Sequence, residues 1–101
     1  MTQTAKFQGV ETSIFTDNID GVSVIVGRYR NTNVCILSEN GTVTLNSGGF
    51  LTATTKLRMN QFSKEFCNGR FHVYQKVGNW FVGRWGSDCE RDEPFYDGMK
   101  A

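Results

Sequence analysis

A double glycine followed by hydroxyl and amine side chains is the feature of this sequence that most suggests binding chemistry. Gly48 and Gly49 precede Thr54, Thr55 and Lys56. If a helix begins here, backbone N–H groups, two hydroxyls and an ammonium lie together, and such a group stabilises a bound phosphate. The G-x-x-x-x-G-K-[ST] order of a P-loop is missing, so nucleotide hydrolysis is not supported. A tight turn with capping threonines would use the same residues, and both interpretations stay open.

Polar side chains farther along the same helix form a second candidate surface. Arg58, Asn60, Gln61 and Lys64 lie outside the apolar arc of the helix. Arginine and amide side chains match the hydrogen-bonding edges of guanine and adenine, so this face could contact bases or phosphates. The alternative is the solvated face that any amphipathic helix shows.

A third candidate surface is aromatic. Tyr74, Phe81 and Trp85 fall on one face of a predicted hairpin, together with His72 and Lys76. Aromatic rings stack on nucleic-acid bases, which contributes about 1–3 kcal/mol per base, and neighbouring cations contact the phosphates. The alternative is a central hairpin that is buried on both faces.

The charge of the chain is unevenly distributed. Residues 21–86 carry eight Lys or Arg and two Asp or Glu, whereas both ends are acidic, and the whole chain has a formal net charge of +1. A basic body is typical of a polyanion binder, although scattered solubilising charges look the same. We expect nucleic-acid contacts from the helix start, from basic side chains and from two stacking rings: Thr54, Thr55, Lys56, Arg58, Arg70, Tyr74, Lys76, Arg84 and Trp85.

Catalytic and metal-binding patterns have little support. Cys35, Cys67 and Cys89 are an odd number without the short spacing of zinc ligands, and His72 has no partner at a spacing typical of a nucleophile. The acidic residues near the C-terminus include no glycine-centred calcium loop. We therefore expect a protein that is not an enzyme, has no cofactor and no metal, and keeps its thiols reduced.

Hydrophobic periodicity predicts an α+β fold. Alternating and β-branched residues indicate strands at 22–29, 34–38 and 42–46, with Asn40-Gly41 as a type I′ turn and 7–15 as a weaker strand. Between 54 and 67 the period changes, placing Thr55, Met59, Phe62 and Phe66 on one arc of a helix. The fold predicted is a mainly antiparallel sheet of about five or six strands, one packed helix at about 54–67, and a C-terminal hairpin.

The hairpin register follows from the glycine near its centre. Arg70 to Val77 and Trp80 to Trp85 flank Gly78-Asn79, so Val77 is expected to pair with Trp80 and Gly83 to lie opposite Tyr74. The face predicted to enter the core consists of Phe71, Val73, Val77, Trp80 and Val82.

The size of the chain indicates one domain. A chain of 101 residues builds a single core, which we expect to occupy residues 1–86, with 87–101 as an acidic C-terminal extension. No apolar run approaches the length of a membrane span, and the first residues lack the apolar region of a secretory signal. An exposed antiparallel edge would allow a homodimer.

Residues 45–61 carry a family resemblance. The run Gly48-Gly49-Phe50, followed by Thr54-Thr55-Lys56-Leu57-Arg58-Met59-Asn60-Gln61, resembles a segment of small proteins encoded by tailed bacteriophages. Their later Phe-x-Val-Tyr-Gln and Trp-Phe-Val elements are similar to 71–75 and 80–82. The resemblance implies a phage origin and a setting in the host cytoplasm, and it implies no activity.

Two functions are consistent with these features. The first is a small phage-derived nucleic-acid-binding protein that uses its basic body and its helix N-terminus. The alternative is a phage protein that binds a host protein and inhibits or redirects it, with the acidic tail imitating nucleic acid and Leu57 anchoring the interface.

Overall fold

The computed structural model describes residue 9 and residues 11–84 and 92–101, which form seven strands and one helix. The elements are β1 (Thr12–Ile19), β2 (Val22–Tyr29), β3 (Thr32–Ser38), β4 (Val43–Leu45), α1 (Ala53–Phe66), β5 (Phe71–Lys76), β6 (Asn79–Arg84) and β7 (Glu93–Pro94). They build an antiparallel four-stranded sheet in the order β1-β2-β3-β4 and an antiparallel three-stranded sheet in the order β5-β6-β7. The predicted α+β class is confirmed, with the strands divided between two sheets.

The four-stranded sheet is a meander of hairpins. Asp20 and Gly21 have φ angles of 51° and 81°, so they form the two-residue turn whose twist matches that of the flanking strands β1 and β2. Opposite Gly27 the register between β2 and β3 shifts, and both Val34 and Cys35 are buried there. This bulge directs two consecutive side chains of β3 into the core.

The turn between β3 and β4 occurs at the predicted glycine, but its geometry differs from the prediction. Gly41 has a φ of 90°, whereas Asn40 does not adopt the left-handed conformation that a type I′ turn requires. The Asn40 Oδ1 atom instead accepts hydrogen bonds from the Thr42 N–H and the Ser38 hydroxyl. The side chain thus adds to the backbone hydrogen bonds from the Ser38 N–H to the Thr42 carbonyl and from the Gly41 N–H to the Ser38 carbonyl, which close the loop.

Helix α1 confirms the predicted apolar arc. The Thr52 hydroxyl caps its start by accepting a hydrogen bond from the Thr55 N–H at 3.2 Å. Thr55, Met59 and Phe62 are buried against the sheets, and Phe66 is partly buried. The apolar period therefore places one stripe of the helix on the core.

Polar side chains of α1 join it to the edge of β5. The Asn60 amide donates to the Val73 carbonyl at 2.9 Å and accepts from the Val73 N–H at 2.7 Å. One turn later the Ser63 hydroxyl donates to the Phe71 carbonyl and accepts from its N–H. These are the backbone groups that another strand would otherwise pair, so the helix covers this sheet edge.

The register of the β5–β6 hairpin differs from the prediction. Val77 and Gly78, with φ angles of 52° and 79°, form the turn, so Lys76 pairs with Asn79. Gly83 therefore lies opposite His72, and Val77 is 92% exposed and not part of the core. The turn lies one residue earlier than predicted, so each strand residue pairs with a partner two positions away from the predicted one. Because side chains alternate between the two faces of a sheet, a shift of two positions leaves the side chains of β5 and β6 on the predicted faces. The other four predicted core residues are buried: Phe71, Val73, Trp80 and Val82.

The described C-terminal residues, 92–101, pack against the rest of the fold. β7 pairs with β6, and the Met99 side chain is 1% exposed within the shared core. The Leu45 N–H donates to the Met99 carbonyl, and the Ala101 N–H donates to the Val43 carbonyl. Residues 92–101 thus connect both sheets, because an edge strand needs little sequence periodicity to find partners. The expected boundary at residue 87 lies outside the described residues.

We expect substitution of Asn60 by Ala to lower the free energy of unfolding by about 2 kcal/mol, because the two backbone groups of Val73 lose their partner. Chemical denaturation monitored by circular dichroism measures this change. Lys64→Ala, an exposed site on the same helix, is the matched control and should change stability by less than about 0.5 kcal/mol. Equal denaturation midpoints for the two variants would contradict the role of Asn60.

Candidate nucleic-acid interface

The start of α1 does not assemble the predicted phosphate contacts. The Thr55 side chain is buried, and its hydroxyl shares a 3.0 Å hydrogen bond with the Thr52 hydroxyl. The Lys56 ammonium donates to the Gln75 carboxamide at 3.0 Å and lies 5.5 Å from the centre of the Trp80 ring. Thr54 is partly buried in a neighbouring cleft. These side chains therefore cap the helix and join it to the hairpin.

The polar face of α1 turns inward, contrary to both interpretations of it. Arg58 is only 9% exposed, and its guanidinium donates to the Thr12 hydroxyl and to the Gln61 side-chain Oε1 atom. It also lies over the Tyr29 ring, with 5.8 Å between the guanidinium carbon and the ring centre. Gln61 is buried and Asn60 binds β5, which leaves Lys64 as the exposed member of this set. A buried, hydrogen-bonded guanidinium is not available to a polyanion.

Two further predicted phosphate ligands hold the C-terminal segment. The Arg70 guanidinium donates to the Gly41 carbonyl at 2.8 Å and to the Ala101 carbonyl oxygen at 3.4 Å. The Arg84 guanidinium donates to the Lys100 carbonyl at 2.7 Å and forms an ion pair with Glu93 at 2.7 Å. Both arginines therefore connect chain segments that are distant in sequence. The guanidinium N–H groups that form these hydrogen bonds are the same groups that would donate to a phosphate, so the two contacts compete.

The outer face of the three-stranded sheet carries a row of rings. His72, Tyr74 and Phe81 stack in series, with 5.3 Å between the first two ring centres and 5.7 Å between the last two. His72 is exposed, and Tyr74 and Phe81 are partly buried. We call these three side chains the ring row. Alternate residues of β5 and β6 point to the opposite face and fill the core, so the ring row faces away from α1.

Two neighbours set the position of the ring row. The Tyr74 hydroxyl donates a hydrogen bond to the Asp92 carboxylate, which fixes one end of that ring. A Cβ atom on Gly83 would lie 2.5 Å from His72 Cε1 and 3.2 Å from Asp92 Oδ1, so glycine is the residue that lets both side chains approach β6. Lys76 belongs to the same face and is exposed. Trp85, the remaining predicted stacking residue, lies outside the described residues.

Two clefts lie elsewhere on the surface. The larger, of about 750 Å³, lies between β2, β3 and the end of α1 and is lined in part by Leu37, Phe66, Cys67 and Arg70. Its lining contains a thiol but not His72, so the predicted site residues do not assemble a nucleophile and a base there. The smaller, of about 400 Å³, lies beside the start of α1.

Burial favours the protonated form of both described cysteines, Cys35 and Cys67. Burial raises the pKa of the Cys35 thiol well above its ordinary value. Burial also raises the pKa of Cys67, and the nearby Arg70 guanidinium opposes that shift in part. Both thiols are therefore neutral near pH 7, as buried apolar side chains are. Within the described part of the chain, no three His, Cys, Asp or Glu side chains converge on a common metal position.

The raised pKa of Cys35 predicts lower stability at alkaline pH. The unfolded thiol ionises from about pH 8.5 upward, whereas the folded thiol stays protonated, so the free energy of unfolding should fall as pH rises above this value. Urea denaturation at a series of pH values from 7 to about 10 measures the slope. Cys35→Ala should make the slope shallower; an unchanged slope in this variant would contradict the assignment.

Comparison with known proteins supplies a family. No helix in the described ranges has the length and apolar character needed to span a bilayer. A search of curated proteins and a search of solved structures each find no match. The family described as Kyanoviridae Gp96 protein matches residues 1–101, the full length of the chain. The phage origin implied by the sequence resemblance is thereby confirmed, and the chain belongs to the Kyanoviridae Gp96 protein family.

Proposed function

We propose that this phage protein is a non-enzymatic binder of single-stranded nucleic acid, acting in the host cytoplasm through the outer face of its three-stranded sheet. The observation that carries the proposal is the ring row: three stacked aromatic side chains on the sheet face opposite the core, with His72 exposed. The basic body and the helix N-terminus, expected to bind from sequence, contribute little because their side chains have partners within the fold.

The geometry of the ring row suits unpaired bases. Neighbouring rings on this face have centres 5.3 and 5.7 Å apart, and successive bases can stack on such a series regardless of their sequence. Paired bases inside a duplex have their faces covered, so the proposal favours single strands. The hydrogen bond that the Tyr74 hydroxyl donates to the Asp92 carboxylate holds this ring in place before binding, which reduces the entropy lost when a base stacks on it.

Electrostatics add a smaller contribution to binding. Lys76 is exposed at the turn end of the ring row, where its ammonium can contact a phosphate. Asp92 places a carboxylate at the other end, which disfavours a second phosphate there. Each neutralised phosphate of a single strand contributes a salt slope of about −0.7, so we expect affinity to fall only weakly with salt. Stacking is therefore the larger contribution.

Fluorescence anisotropy with labelled single-stranded oligonucleotides tests the proposal. Tyr74→Ala should weaken binding at least about fivefold, the equivalent of about 1 kcal/mol of stacking, whereas Tyr74→Phe retains the ring and most of the affinity. Lys76→Ala should make the salt slope shallower by about 0.7, and Lys64→Ala, an exposed lysine on α1, is the matched control.

Three outcomes of this titration would contradict the proposal. They are the absence of binding at low salt, equal binding by Tyr74→Ala and the unchanged protein, and a preference for duplex over single strands. Thermal unfolding of each variant separates a loss of binding from a loss of structure.

A second candidate function is binding to a host protein, and exposed apolar side chains favour it. Phe50, Leu51 and Leu57 are 65%, 58% and 51% exposed around the start of α1. Large apolar side chains anchor protein interfaces when a partner buries them. The acidic tail supports this function less, because Glu93 pairs with Arg84 and the Asp97 carboxylate accepts from the Ser47 N–H and hydroxyl.

Affinity capture from host lysate tests the second candidate. A stoichiometric protein that survives nuclease treatment and is lost from Leu57→Lys would support it, because the lysine introduces charge where the partner needs an apolar contact. Lys64→Ala again serves as the control variant. Capture of nucleic acid alone, or equal capture by Leu57→Lys, would contradict it.

A further inference from the structure

Strand β1 forms one edge of the four-stranded sheet among the described residues. Thr12–Ile19 pairs with β2 on one side, and no described strand lies on its other side. At eight residues it is long for an edge strand, and most of its side chains are exposed. An extended edge of this kind is a template for another extended segment, which would pair with its backbone.

The turn at the end of β1 determines which backbone groups point outward. In a hairpin with a two-residue turn the flanking pair, here Ile19 and Val22, is hydrogen-bonded, and the pattern alternates from there. The outward-pointing backbone groups thus include those of Ile14, Thr16 and Asn18. The Asn18 N–H donates to the Asp17 carboxylate at 2.7 Å, as an outward-facing donor with no strand beside it would.

We propose that the occupant of this edge is a second copy of the chain, joined antiparallel across a two-fold axis that passes between the two Phe15 residues. The outward-pointing N–H and C=O groups belong to every second residue of β1, and in a dimer these residues must pair with each other. The two-fold axis therefore passes through a residue and not between two residues. Three axes leave a substantial overlap of the strands, at Ile14, Phe15 or Thr16. Self-pairing of this kind is isologous and closed, which limits assembly to a dimer.

Charge selects the axis at Phe15. An axis at Ile14 would place Asp17 opposite the partner's Glu11, a repulsive pair. An axis at Phe15 places Asp17 opposite the partner's Ser13, and the register of the hairpin puts the partner's Arg28 directly beside that serine. An axis at Thr16 places Ile19 opposite the partner's Ser13, so the partner's Arg28 has no carboxylate to bind.

The side chains around this axis are complementary. The Arg28 Nε donates to the Asn33 side-chain oxygen on β3 at 2.8 Å, and the guanidinium carbon lies 5.2 Å from the centre of the Phe15 ring on β1. We infer that the remaining guanidinium N–H groups can reach a partner's carboxylate across the small Ser13. Two Phe15 rings meet at the axis, and aromatic pairs of this kind stabilise neighbouring strands. Ile14, which is partly exposed in one chain, faces the partner's Thr16 and becomes covered. Acidic residues at both ends of β1 disfavour a polyanion at this edge: Glu11, Asp17 and Asp20.

Sedimentation equilibrium on the full chain tests the proposal. We expect a concentration-dependent species of twice the 11.4 kDa chain mass, and neither nuclease nor reducing agent should weaken the association. Thr16→Pro removes an outward N–H without breaking a hydrogen bond to β2 and should abolish the dimer, whereas Thr16→Val retains the donor and should leave the dimer intact.

A charge exchange tests the register. Asp17→Arg and Arg28→Asp should each raise the dissociation constant about tenfold, and the double variant should restore it to within about threefold of the original value. This cycle remains informative if Thr16→Pro does not fold, which circular dichroism reveals. A monomer at concentrations up to about 100 μM, a dimer unaffected by Thr16→Pro in a folded protein, or failure of the double variant to restore association would overturn the proposal.

Discussion

The amide of Asn60 is the interaction on which the rest of this structure depends. By donating to the Val73 carbonyl and accepting from the Val73 N–H, it acts toward β5 as a neighbouring strand would. Ser63 repeats the arrangement at Phe71. A two-stranded hairpin is only marginally stable alone, and β7 adds just two residues to β5 and β6. Helix α1 closes the β5 edge with hydrogen bonds and brings a buried apolar stripe against the sheet. The shared core of the two sheets is built around this junction.

The junction also determines which face of the hairpin points away from the core. With β5 held against α1, Phe71, Val73, Trp80 and Val82 enter the core, and the alternate residues form the ring row. The lysine and arginine side chains that the sequence predicts as phosphate ligands instead form hydrogen bonds at this junction or to the C-terminal segment. A long side chain can supply several hydrogen bonds between distant elements. The basic excess of the body is thus in large part structural, and the proposed interface depends on aromatic stacking.

The periodic parts of the fold were predictable from sequence, and the hydrogen-bonded parts were not. The arc of Thr55, Met59 and Phe62 and the core face of the hairpin follow from spacing, since burial repeats with each helical turn or with each second strand residue. Arg58 and Gln61 are polar yet buried, and nothing in their local pattern indicates that Thr12 lies beside them. Burial of polar groups depends on partners distant in sequence, which periodicity does not record.

Turns and termini show the same division. The hairpin turn contains Val77 in a left-handed conformation that β-branched residues rarely adopt, so local preference placed the turn one residue too late. At the C-terminus, Met99 lies in a segment without an apolar period, and backbone pairing with β4 holds it in the core. Tertiary contacts override local preference at both places.

The central claim is that the helix start is structural and that the ring row is the binding face. Amide chemical-shift mapping of the folded protein during titration with a single-stranded oligonucleotide tests it most directly. The account predicts the largest shifts at His72, Tyr74, Lys76 and Phe81, with residues 53–61 nearly unchanged. Shifts concentrated at Thr54, Lys56 and Arg58, with the ring row unaffected, would contradict it.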